Sequence, residues 1–132
     1  MGSTSQPNRF LAYSIYVYRK PDMNEQSHHS HIENINTPII KPLLEKYGIV
    51  SYTVTHNDSS SKAVFKRLFP DAPNELLLDY DTIISMIAPD VRCIEMMRED
   101  PDFLGKFIPD HFKFADMSRS RCIVGWAQHY NL

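Results

Sequence analysis

The sequence predicts an α+β domain of ferredoxin-like type, a βαββαβ chain whose four strands form one antiparallel sheet with helices packed on one face. Three observations predict it: four runs rich in β-branched and aromatic residues, helically spaced apolar residues between them, and the order β-α-β-(α)-β-α-β. The chain has 132 residues, 42% hydrophobic and 23% charged, which suits one domain with a single core. Residues 1–9 read as a flexible polar segment and residues 10–132 as the domain.

The first strand is "FLAYSIYVY", ended by "RKPDMN". From about Asn24 to Lys46, Ile32, Ile35, Ile39 and Leu43, with Ile40, Leu44 and Tyr47, recur at helical spacing. Pro38 and Pro42 are expected to kink or split this helix, and Gly48 to stop it. Asn36 lies four residues after Ile32, which turns it toward the sheet as a polar pocket residue. "IVSYTVTH" reads as the second strand, and "SSSKAVFKRLF" as a short helix with capping candidates around Asp58. "PDAPNE" is a loop and "LDYDTIISMIA" the third strand. Asp90 caps the next helix, in which Val91, Ile94 and Met97 share a side. "PDFLGKFIPDHF" is a further short helix or turn, and "RCIVGWAQHY" the last strand.

Parity along the strands leaves neither sheet face clearly polar, so the helices alone cannot cover the sheet. A second copy meeting it face to face, as a homodimer, would complete the cover. The space so enclosed would suit a hydrophobic, oxygenated small molecule.

A net charge of −2 with interspersed signs provides no basic stripe for nucleic acid. Cys93 and Cys122 form neither a disulfide framework nor a zinc pattern. No signal core or apolar run of membrane-spanning length occurs, and Gln6 stands where a myristoylation signal wants Ser or Thr, so the expected location is cytoplasmic. The Asn57-Asp58-Ser59 sequon is then idle.

His56, Asp79, Asp81 and His111 are the titratable groups expected near the pocket. A histidine can exchange protons near neutral pH, but His56 could equally cap the following helix. Asp81 could orient a histidine or polarise a substrate hydroxyl. His28, His29 and His31 in "SHHSH" lack a carboxylate or cysteine to complete a metal site nearby and are expected at the surface. Tyr16, Tyr18, Tyr52 and Trp126 could stack on an aromatic ligand or fill core. No phosphate loop, dinucleotide fingerprint or nucleophile elbow is present.

The stretches "YVYRKPDMN", "NTPIIKPLLEKYGIVSYTVTHN", "DYDTI", "DPDF", "PDHFKFADMSRSR" and "GWAQ" resemble, in order and spacing, the fungal EthD-domain proteins of the dimeric α+β barrel superfamily. They are most similar to the atrochrysone carboxylic acid decarboxylases, and the resemblance runs from Phe10 to Tyr130. It implies a dimeric barrel and a cofactor-independent tailoring enzyme that decarboxylates or cyclises an aromatic polyketide. It also implies catalytic roles for His56, His111 and Asp81, while Asn36, Tyr16, Tyr18, Tyr52 and Trp126 are the residues expected from the sequence itself to contact substrate. Where the family reads His-Ala-Pro-Leu, this chain has Asn36-Thr37-Pro38-Ile39. An asparagine cannot exchange a proton, which admits aldol-type or pericyclic ring closure without decarboxylation, or non-catalytic binding of a pathway intermediate.

Overall fold

A computed structural model describes residues 9–132, so all of the expected flexible segment but Arg9 lies outside the described residues. Arg9 opens β1 (Arg9–Val17), followed by β2 (Ser51–His56), β3 (Thr82–Ala88) and β4 (Arg121–Gln128). The strands form one sheet in the order β2-β3-β1-β4, every neighbouring pair antiparallel, as the ferredoxin-like arrangement requires. The register sets Tyr13 against Met86 and Val124, Tyr52 against Met86, and Thr82 against both Val17 and His56.

Two helical arms pack on the face that carries these residues. The first comprises α1 (Glu25–His31), a π-helical turn (Ile32–Asn36) and α2 (Thr37–Lys46). α3 (Ser59–Leu68) follows β2 and buries no residue. The second arm is α4 (Val91–Arg98), a second π turn (Phe103–Phe107) and α5 (Ile108–Phe114). Asn24, Asp58 and Asp90 cap α1, α3 and α4 through side-chain oxygens that accept from Ser27, Ser61 and Arg92 amides. Gly48 adopts φ 72°, a conformation that favours glycine and lets the chain leave α2 for β2.

Three expectations are corrected. The prolines do not break the first arm, because Thr37 N–H reaches back to the Ile32 carbonyl and so widens the turn just before Pro38. Pro38 and Pro42 are exposed, so the carbonyls they leave unbonded can face water. The widened turn also corrects the buried face: His28, Ile32, Asn36 and Ile40 are buried at intervals of four, whereas Ile35 is 48% exposed. The third strand begins at Thr82 rather than Leu78, because the Asn57 side-chain amide donates to the Leu78 and Tyr80 carbonyls at 2.9 and 2.7 Å and takes them out of the ladder.

The opposite sheet face carries Ser14, Tyr16, Ile83, Ser85 and Ile87, none of them fully buried. β4 is open on both faces, with Ile123, Val124 and Trp126 exposed. The second cover that strand parity calls for is therefore not supplied by the described residues of one chain.

Candidate active site

The core is divided. One apolar cluster gathers Ile40, Leu43, Leu44, Met86, Met97, Phe103 and Phe107, and another Val17, Ile32, Phe114 and Ala115. Each arm crosses from one cluster to the other, and the residues at the crossings are buried and polar: Asn36 on the first arm, Asp110 and His111 on the second. A polar belt thus runs through an otherwise apolar layer.

Asp110, 3% exposed, is its centre. His31 Nε2 lies 3.0 Å from each carboxylate oxygen, and Asn36 Nδ2 donates to Oδ2 at 3.0 Å. An ionised carboxylate only accepts, so Nε2 carries a hydrogen, and in the neutral form of the ring the lone pair lies on Nδ1. This is a carboxylate-oriented imidazole, the arrangement that proton-transferring histidines use.

His111 sits between Phe107 and Phe114 at ring distances of 4.5 and 5.4 Å. Its Nδ1–H donates to the Phe107 carbonyl at 2.9 Å, which makes Nε2 the basic nitrogen. His31 also lies on Phe114, at 5.2 Å, so both imidazoles border one phenyl ring. His28 has a different task. Its Nδ1–H donates to the Phe114 carbonyl at 2.9 Å, and the Thr82 hydroxyl donates to its Nε2 at 2.8 Å. Both nitrogens are used, which ties α1 to α5 and β3 and leaves neither for a metal.

At the end of β2, His56 and His29 stack with centroids 3.9 Å apart. Among the described residues, three buried side-chain atoms have no hydrogen-bond partner: Asn36 Oδ1, Tyr52 Oη and His56 Nδ1. Tyr52 and His56 share the helix-facing side of β2, where Tyr52 packs on the cluster of Ile40 and the intervening Val54 on that of Ile32. Asn36 lies midway between those two isoleucines, so all three orphaned atoms follow one seam. A groove of about 360 Å³ between α2 and β2 is lined by Thr37, Leu44, Ile49 and Tyr52. A larger groove of about 540 Å³, lined by Phe65, Phe69 and Leu78, shares no residue with the belt.

The structure thus sets four of the expected site residues, Asn36, Tyr52, His56 and His111, in the layer between sheet and helices rather than in a space between two sheets. The physical reason is parity, since Tyr52 and His56 point with Val54 into the helix layer. Asp81 stands elsewhere, its carboxylate held by the Arg19 amide at 2.8 Å and guanidinium at 2.9 Å. Asp79 accepts from the Tyr18 hydroxyl, and the Tyr18 ring lies 3.7 Å from the Arg119 guanidinium. Tyr16 is on the open face against Tyr80, and Trp126 is on the exposed edge strand with Arg9 over its ring.

The expectation that "SHHSH" is a surface cluster is corrected: His28 is fully buried, and His31 is bound to Asp110. Its partners come from α5 and β3, between 54 and 86 residues away, so no local pattern reveals them. The one local signal is the four-residue interval His28, Ile32, Asn36 and Ile40.

The EthD domain family model matches residues 20–118. The dehydratase CTB10 of Cercospora beticola is 48% identical over 130 residues, 98% of each chain. The decarboxylase claH of Passalora fulva is 35% identical over 92% of this chain and 79% of its own. Among solved structures, an EthD family protein of Bacillus halodurans matches with a TM-score of 0.57 and 13% identity, over 91% of this chain and 99% of that one.

Burial, as the largest cause, holds the pKa values of His28, His56 and His111 below that of an ordinary histidine. Their folded forms stay neutral while the unfolded rings take protons around pH 6.5. The unfolded state then binds more protons, so stability is complete above that pH and declines as pH falls below it. Urea midpoints should be lower at about pH 5.5 than at about pH 7.5. An equal or higher midpoint at the acid pH would contradict the buried neutral histidines.

Proposed function

The chain belongs to the EthD-domain family, and on that premise we propose that it is a biosynthetic lyase or cyclase of fungal polyketide-type metabolism that works through an enolate of its substrate. The observation that carries this reading is the His31 imidazole held on the buried Asp110 carboxylate, with a second imidazole, His111, across Phe114.

The names dehydratase and decarboxylase, borne by relatives, share one chemical need. In dehydration a base removes the proton beside a carbonyl, the electron pair passes to the carbonyl oxygen, and its return expels a β-hydroxyl that takes up a proton. In decarboxylation the bond to the carboxylate breaks, the same oxygen receives the pair, and the carbon then takes a proton. Aldol-type closure begins with the same proton removal, and the new carbon–carbon bond forms at the enolate carbon. All three need a positioned proton carrier and a hydrogen bond to the enolate oxygen. His31 Nδ1 is suited to the first and the Tyr52 hydroxyl to the second.

Dehydration balances within this scheme with one imidazole, because the proton that His31 Nδ1 removes is the proton that the leaving hydroxyl takes up. Asn36 holds Asp110, and so takes part in proton transfer only through His31. His56, half-buried beside His29, would meet substrate in this scheme rather than complete the His31–Asp110 pair. We further propose that the open sheet face and β4 are covered by a second copy of the chain.

The test of the reaction is to incubate the protein with a hydroxylated anthracenone carboxylic acid and, separately, with a β-hydroxy ketone analogue. Loss of carbon dioxide or water above a no-enzyme control is expected, and His31→Ala should lower the rate by at least about 100-fold while the fold persists. Unchanged substrate decay, or a full rate in the variant, would sink the mechanism. For the assembly, gel filtration should report a dimer that Ile87→Lys converts to monomer; a wild-type monomer would remove the face-to-face arrangement.

A further inference from the structure

The larger groove, of about 540 Å³, lies outside the belt, with α3 along one side and the loop before β3 along the other. α3 spans ten residues and buries none of them, although a helix of that length is marginal in water unless an apolar face is packed. Its hold on the domain is polar. Asp58 caps it through the Ser61 amide at 3.0 Å, and Glu25 of α1 accepts from the Ser59 amide and hydroxyl, each at 3.1 Å. Leu68 and Phe69 at its end are nevertheless 66% and 57% exposed. The apolar side of α3 thus serves no purpose within the domain.

Charge decides what can cover it. α3 bears Lys62, Lys66 and Arg67 and no acidic residue, on a chain whose net charge is −2. Lys62 and Lys66 stand one turn apart on the groove wall beside Phe65 and Phe69, whose rings lie 5.4 Å from each other. Among the described residues neither lysine is paired with a carboxylate. Asp79, which also lines the groove, is engaged by the Tyr18 hydroxyl. Two unpaired ammoniums beside an apolar concavity call for an occupant that carries carboxylates next to an apolar ridge.

We propose that the α3 groove docks an acidic amphipathic helix of a partner protein, with two carboxylates on Lys62 and Lys66 and an apolar ridge between Phe65, Phe69, Leu77 and Leu78. Helix-in-groove recognition works through such apolar anchors at intervals of three and four residues. A lipid surface fits less well. A helix lying on a membrane turns a convex apolar stripe outward, whereas these side chains line a concavity. A partner helix can also set its carboxylates over the lysines alone, while a plane of anionic headgroups would meet the exposed Asp71 and Glu75 of the loop as well.

The probe is a labelled helical peptide of about 18 residues, with Glu at intervals of four beside Leu at the same interval, followed by fluorescence polarisation against the purified protein. Binding is expected with a Kd at or below about 100 μM, weakening as salt is raised. The double variant Lys62→Glu/Lys66→Glu should bind at least about tenfold more weakly, and Phe69→Ser at least about fivefold. Both should keep the wild-type circular dichroism, since none of these side chains is buried. Two control peptides, one with Ser for Leu and one with Lys for Glu, should not bind.

No binding of the acidic peptide, equal binding of the Ser peptide, or unchanged affinity in both variants would each overturn the proposal. Binding to phosphatidylserine vesicles that exceeds binding to the peptide would assign the groove to a membrane instead, and a dimer lost in Phe69→Ser would assign it to a second copy. Either result overturns the partner helix. Turnover is not measured, so failure of the proposed reaction leaves this outcome untouched, and failure of the peptide to bind leaves the reaction untouched.

Discussion

The Asp110 carboxylate is the constraint on which the arrangement depends. A charge 3% exposed is costly unless it is paired and hydrogen-bonded, so α5 can hold its position only while the first arm delivers donors to it. His31 and Asn36 are those donors, one just before the π turn and one at its end. The same contacts fix the His31 ring and leave its Nδ1 lone pair as the basic site. Fold and chemistry thus share one set of hydrogen bonds, and loss of either donor would leave a buried charge incompletely matched.

The π turns make this geometry possible. A regular helix carries residues spaced by four progressively off a face, and by the third interval the drift would turn Ile40 away from the sheet. The extra residue taken up between Ile32 and Thr37 corrects the phase, so His28, Ile32, Asn36 and Ile40 all look inward. The second arm repeats the device between Phe103 and Ile108, directly before Pro109 and the pair Asp110–His111. Both turns stand just ahead of a proline, where a wider turn eases the crowding of the ring against the preceding carbonyls.

Most of the fold was legible because strand alternation and caps are local. "AYSIYV" and "TIISMIA" each show their period within a few residues, and Asp58 and Asp90 cap as their positions suggest. The site was legible only in part. Asn36 could be recognised as an inward polar residue from its interval after Ile32, and Tyr52 and His56 from strand parity. His31 could not, because its role is conferred by Asp110 across 79 residues, and the Arg19 partner of Asp81 likewise lies on a different segment. The location of the belt between sheet and helices likewise depends on which face the arms cover, which follows from packing over the whole chain.

The central claim is that Asp110 holds His31 in one tautomer, with hydrogen on Nε2 and the lone pair on Nδ1. Nitrogen NMR of histidine-labelled protein, at a pH where the ring is neutral, reads this directly, with His31→Gln used to assign the signal. A single His31 tautomer protonated at Nε2 is expected, reverting to a mixture in Asp110→Asn. A neutral His31 protonated at Nδ1, or a tautomer ratio unaltered by that substitution, would contradict it.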